Sequence, residues 1–176
     1  FGSTYVADAF NASFQIPNLL RKLFGEGALS AAFIPIYNEI KLKEGKKGQI
    51  NFALNVLSLL SAFLLILCIV GIFLAPVIVK LLAPGFDAQT YDLSVKLTKI
   101  LFPYLFLIGL SSTLISIANS HDYFFIPGLS SAFLNLAMIG TPAIFILMNE
   151  NTSTVSLITV LSYGVITGGV LQTVVN

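Results

Sequence analysis

The chain reads as an all-α polytopic membrane protein, a bundle of kinked and broken transmembrane helices with about five spans. Two observations predict this. Of its 176 residues, 56% are hydrophobic and 10% charged, with a mean hydropathy of +0.92, where a soluble domain carries about 25% charged residues. Residues 52–79, 100–121, 123–149 and 151–176 contain no Asp, Glu, Lys or Arg. About 20 apolar residues cross a hydrocarbon core roughly 30 Å thick, so each of these runs is long enough. The runs are too long for strands and lack strict alternation, so no β signal competes.

The elements follow from the breaks. A broken helix is expected over 5–41, interrupted or bent by Pro17 and by Gly25 with Gly27. Spans are expected near 50–81, 92–119, 127–148 and 154–175. Lys41, Lys43, Lys46 and Lys47, with Gly45 and Gly48, mark a loop that the positive-inside rule makes cytoplasmic. Its simplest role is to set topology, with contact to anionic lipid a lesser reading. Ala83-Pro84-Gly85-Phe86-Asp87 is a turn, external by the span count. Ser120-His121-Asp122 is an internal corner, and Asn149–Ser153 an external connector with Thr152 or Ser153 as N-cap. Pro127 opens the next helix near its first position. Pro76, Pro103 and Pro142 should kink their helices. Gly164 and Gly168 form a GxxxG packing face. Ser112, Ser116 and Asn119 share a face, and Asn135 is expected to hydrogen-bond between helices. The chain opens and stops mid-pattern, which reads as a piece of a longer protein.

Net charge is +1, which gives no footprint for nucleic acid. Cys68 is the single cysteine, so no internal disulfide forms. No Cys/His cluster has metal-ligand spacing, and no nucleophile–base pair or phosphate-cradling glycine loop is present. His121 reads as a solvated corner residue. Tyr5, Tyr91, Tyr123 and Phe124 read as interfacial anchors.

The candidate site lies in the first helical segment. Asp8, Asn11, Gln15, Asn18, Lys22 and Glu26 follow at steps of three or four, which places them on one helix face with Arg21 beside it. An ionised group at the centre of a membrane helix costs about 2.5–3.5 kcal/mol on insertion scales, so such a face lines a cavity or finds partners. Two readings stand. In one, the face is the wall of an anion-binding cavity, with the Arg21 fork and the Lys22 charge suited to phosphate. In the other, Lys22 and Glu26 neutralise each other at i,i+4 while Arg21 and Lys22 snorkel to the interface.

At these residues the sequence resembles the MurJ (MviN-type) lipid II flippases of bacteria. The resemblance is carried by Asp8-Ala9-Phe10, Pro17-Asn18-Leu19-Leu20-Arg21-Lys22, Phe24-Gly25-Glu26-Gly27-Ala28 and Ala32-Phe33-Ile34-Pro35. Ala83-Pro84-Gly85-Phe86, Phe102-Pro103-Tyr104 and Gly168-Gly169-Val170-Leu171-Gln172 extend it along the chain. It implies that residues 1–176 are a partial N-terminal lobe, without the first helix and the C-terminal lobe. The parent would be a fourteen-helix transporter of the multidrug/oligosaccharidyl-lipid/polysaccharide exporter superfamily, whose two lobes enclose a cationic cavity.

The implied function is flipping lipid II, an undecaprenyl-pyrophosphate-linked peptidoglycan precursor, from the cytoplasmic to the outer leaflet of the bacterial inner membrane by alternating access. The resemblance implies a transporter and not an enzyme, with no cofactor and no metal. Its partners would be lipid II, membrane lipids and cell-wall synthesis proteins. Arg21, Asp8 and Glu26 carry over as substrate-binding residues, with Asn18 and Lys22 as neighbours. Two departures weaken bidentate phosphate recognition: Gln15 stands where a basic residue is common, and Lys22 replaces the second arginine of a pair. The rival readings are an exporter of another lipid-linked glycan, a drug/cation antiporter of the same superfamily, a membrane enzyme acting on polyprenyl pyrophosphate, and a non-transporting scaffold of cell-wall synthesis. The enzyme would need clustered acids or a His/Asp set at a membrane face, and only scattered ones are present.

Overall fold

The computed structural model describes residues 4–25, 28–149 and 152–176, with the side chains at 20, 21 and 23–30 outside that description. Six helices follow one another: α1 (Tyr5–Gly25), α2 (Ala28–Leu82), α3 (Ala88–Leu101), α4 (Pro103–Ser120), α5 (Phe125–Met148) and α6 (Thr154–Val175). Among the described residues there is no strand. Among the described residues, four stretches are long and apolar enough to cross a membrane: Ala31–Leu82, Ala88–Ser120, Phe125–Met148 and Thr154–Val175. The chain is a multi-pass membrane protein.

The lysine-rich segment 41–48 is not the loop that its glycines suggested. α2 runs through it, interrupted only at Gly45, whose φ of 71° and ψ of −170° lie outside the helical region. Lys and Glu are good helix formers, and Lys43 pairs with Glu39 one turn away at 2.6 Å. A single glycine therefore makes the corner, in a backbone region that costs a side chain on the order of 1–3 kcal/mol. Pro17 likewise leaves α1 unbroken, and α1 stops at Gly25. Pro103 does break its span: α3 ends at Leu101, and Pro103 opens α4. Pro127 stands inside the first turn of α5, two residues after Phe125. The α6 N-cap is Ser153, whose hydroxyl accepts from the Ser156 amide at 3.1 Å.

The helices pack through small residues. A Cβ on Gly164 would collide with the Thr141 hydroxyl, and one on Gly168 would come within 2.9 Å of the Leu134 Cα, so this GxxxG face seats α6 on α5. The neighbouring Gly169 faces α4, where a Cβ would lie 2.9 Å from the Tyr104 ring. Gly71 of α2 is the socket for the Phe102 ring, and Gly109 of α4 receives Leu64. With lipid as apolar as the side chains, this close approach supplies the dispersion contact that holds such helices together. Ser112 and Ser116 also bond within their own helix. Their hydroxyls donate to Ile108 O and Ser112 O, both at 2.8 Å on their own helix, which is the nearest acceptor to a serine in a helix. Asn135 is exposed, beside a polar notch, and forms no inter-helix bond among the described residues.

Gly168→Val should therefore lower the stability of the full-length protein by about 1–3 kcal/mol, the usual penalty of overpacking. Gly140→Ala, which meets nothing within 4 Å, should leave it within about 0.5 kcal/mol. Unfolding midpoints of the two variants in mixed micelles check this.

Candidate functional site

α1 has two different faces. Val6, Ala9, Ser13 and Pro17 are buried against the bundle, while Asp8, Asn11 and Gln15 are exposed. Val6 and Ala9 pack with Leu93 and Leu97 of α3 and Ile158 of α6. The Ser13 hydroxyl lies 2.6 Å from Ala9 O and 2.9 Å from Ser94 O, which ties α1 to α3 within the bundle. Phe10 and Phe14 stack at 5.5 Å, and Phe14 lies 6.2 Å from the Tyr104 ring. This apolar side fixes the rotation of α1 and so turns its polar side outward.

The polar side opens on a cleft of about 650 Å³. Asp8, Asn11, Ala12 and Gln15 form one wall, and Leu82, Ala83, Gly85 and Phe86 of the turn after α2 form the other. Sequence reading singled out the face and the turn separately, and nothing in their spacing signalled that they meet. Asn18 is half-buried and Lys22 exposed in the last turn of α1. At 1.5 Å per residue, Asp8 and Lys22 stand about 21 Å apart along the axis, so the face runs through most of a hydrocarbon core. The Arg21 side chain and all of Glu26 lie outside the described residues, as does the alternative Lys22–Glu26 pairing. Among the described residues no group of three His, Cys, Asp or Glu could hold a metal ion.

The two ends of the bundle are distinguishable. Thr4–Val6 border Thr152–Val155 across a surface cleft, and Tyr5 also neighbours Gln89 and Asp92, so the starts of α1, α3 and α6 share one end with the Leu82–Phe86 turn. At the other end the buried Tyr37 places its hydroxyl 3.4 Å from His121 Nε2, and the two rings meet edge to face. His121 is exposed but touches this aromatic cluster, a contact that a corner residue's sequence does not announce. Asp87, the N-cap position of α3, accepts from the Thr90 hydroxyl at the rim of the cleft. That bond, with smaller help from nearby amides, holds the Asp87 carboxyl below the usual carboxylate range.

A family model described as "Lipid II flippase MurJ" matches residues 1–176. A "Probable lipid II flippase MurJ" of Buchnera aphidicola subsp. Acyrthosiphon pisum is 42% identical over 98% of the chain and 33% of the relative. The "Lipid II flippase MurJ" of Burkholderia cenocepacia is 36% identical over 100% of the chain and 34% of the relative. A solved structure titled "Lipid II flippase MurJ, inward closed conformation" superposes with a TM-score of 0.82 at 30% identity, covering 99% of this chain and 35% of that one. The chain thus spans about a third of the length of the curated relatives it matches.

Two outcomes are expected. In the full-length protein, Asn11→Cys and Gln15→Cys should react with a hydrophilic maleimide, while Ser13→Cys, buried against α3, should not. The Asp87 carboxyl, depressed in the folded state, contributes stability that is present above its unfolded pKa and lost as pH falls through the folded one. Its ¹³C titration should therefore lie below the ordinary carboxylate value of about 3.9, and Thr90→Ala should return it there.

Proposed function

This chain belongs to the MurJ lipid II flippase family, and on that premise we propose that the protein containing it carries lipid II from the cytoplasmic to the outer leaflet of the bacterial inner membrane. The observation that carries the reading is the family match over all 176 residues, supported by the polar face of α1, which borders a cleft. The protein is a transporter and not an enzyme. Its substrate is an undecaprenyl-pyrophosphate-linked glycan, and membrane lipids and cell-wall synthesis proteins are its neighbours.

The division of labour follows from charge. A pyrophosphate needs positive donors away from bulk water, and Arg21 offers a planar fork that donates to two phosphate oxygens at once. Lys22 adds a point charge, and Asn18 a neutral amide one turn before it. Asp8 and Glu26 orient the basic groups or exchange partners between states. Moving one charge across the membrane potential supplies about 2.3 kcal/mol per 100 mV, enough to bias a two-state cycle. What supports the placement is the position of Asp8, Asn11 and Gln15 on the cleft wall, which leaves this face of α1 open to an occupant.

The test uses the full-length protein in bacteria depleted of their own flippase, with lipid II exposure at the outer leaflet as the readout. Wild type should restore exposure. A hydrogen bond to a charged group contributes about 1.5–3 kcal/mol, so Arg21→Ala should reduce translocation by roughly ten- to a hundredfold, with Asp8→Asn weaker. Normal flipping by Arg21→Ala removes the substrate role of that residue. No rescue by inserted, folded wild type points to an exporter of another lipid-linked glycan or to a scaffold.

A further inference from the structure

Where α4 meets the α5–α6 pair, a notch of about 100 Å³ opens within the span, lined by Tyr104, Ile108, Ser131, Leu134, Asn135 and Gln172. Four of these six side chains carry a hydroxyl or an amide, beside the apolar cluster of Leu101, Ile108, Leu134 and Val165. Gln172 is 5% exposed, and its side-chain Oε1 is buried with no hydrogen-bond partner in the structure. Ser131 and Asn135, one turn apart on α5, stand at the mouth and are exposed. At 1.5 Å per residue they lie about 9–15 Å inside the start of α5, beyond the reach of bulk solvent at the helix end.

An amide oxygen left unsatisfied in such surroundings costs about 1–3 kcal/mol, and lipid offers it no donor. The notch holds no carboxylate, so a divalent cation would meet no neutralising charge there. A water needs only about 10–15 Å³ of such space, so the notch has ample room, and its neutral donors and acceptors match the requirements of water itself. We propose that this notch is a resident water-binding site, in which water donates to Gln172 Oε1 and bridges it to Ser131 and Asn135. The site makes the contact of α4 with α5 and α6 a wet joint, while Gly164 and Gly168 keep the α5–α6 contact dry. The Phe14 ring on Tyr104 links this joint to the helix that borders the cleft. The proposal does not depend on what the protein transports.

The test is X-ray radiolysis of the full-length protein in lipid nanodiscs, in which hydroxyl radicals born from bound water label adjacent side chains. Tyr104, buried though it is, should be labelled at short exposure. Gln172→Leu and, separately, Ser131→Val at the exposed mouth should abolish that label and leave Tyr91 at the membrane edge labelled as before. The second variant keeps the test open should the first fail to fold. An unlabelled Tyr104 in the wild type, or labelling unchanged in both variants, overturns the proposal. Suppression of the label by sodium but not by choline also overturns it, because the occupant is then a monovalent cation.

Discussion

Inside a bilayer no water competes for hydrogen bonds, and everything else in this structure accommodates that constraint. Helices satisfy their own amides, and the many Ser and Thr hydroxyls do the same on a smaller scale. Ser61, Ser94, Thr113, Thr141, Thr159 and Ser162 each donate to the carbonyl four residues back on their own helix. Among the described residues, cross-links between elements include Ser13 to Ser94 O, Cys68 to Phe102 O, Tyr91 to Pro76 O and Thr173 to Leu107 O, with Tyr37–His121 and Asn176–Ser111 at helix ends. Most polar groups are neutralised locally, which leaves shape to decide how the helices meet.

Shape is decided by glycine. Gly164 and Gly168 admit α5, Gly169 admits Tyr104, Gly71 admits Phe102, and Gly109 admits Leu64. At each point a side chain or backbone of one helix fills the place of an absent Cβ on the next. The close fit also locates a break within a span. Phe102, held by Gly71 and by the Cys68 thiol at 3.2 Å, sits just before Pro103, where α3 gives way to α4. α3 is bonded to α1 through Ser94, whereas α4 packs on α2 through Gly109 and Leu64. Each half also reaches the other's main neighbour, α3 through Tyr91 on Pro76 and α4 through Tyr104 on Phe14.

Much of this was legible in the sequence because it depends on local chemistry. The charge-free runs marked the spans, Ser153 marked its cap, and Gly164 with Gly168 marked a seam. The spacing of Asp8, Asn11 and Gln15 marked the polar face of α1, which the structure leaves exposed, but it did not single out the buried Val6, Ala9 and Ser13. What was not legible depends on distance in the fold. The meeting of α1 with the Leu82–Phe86 turn, the Tyr37–His121 contact, and the grouping of Tyr104, Asn135 and Gln172 join residues from 31 to 84 positions apart, with no periodic signature. The lysine-rich corner was misread for the opposite reason. Its glycines signalled a loop, but the propensity of the residues around them carried the helix to within one residue of the turn.

The unequal composition of the helices bears on how the protein enters the membrane during synthesis. α1 is less apolar than α2, α5 and α6 and carries Asp8 and Lys22, and each ionised residue at a helix centre adds about 2.5–3.5 kcal/mol to insertion. The translocon would meet α1 as a poor candidate and the apolar second half of α2 as a strong one. Stable integration of α1 thus waits for Leu93, Leu97 and Ile158 to emerge, since these are the residues that cover its apolar side. The helix that carries the polar face is made early but can settle only after much of the bundle has been translated.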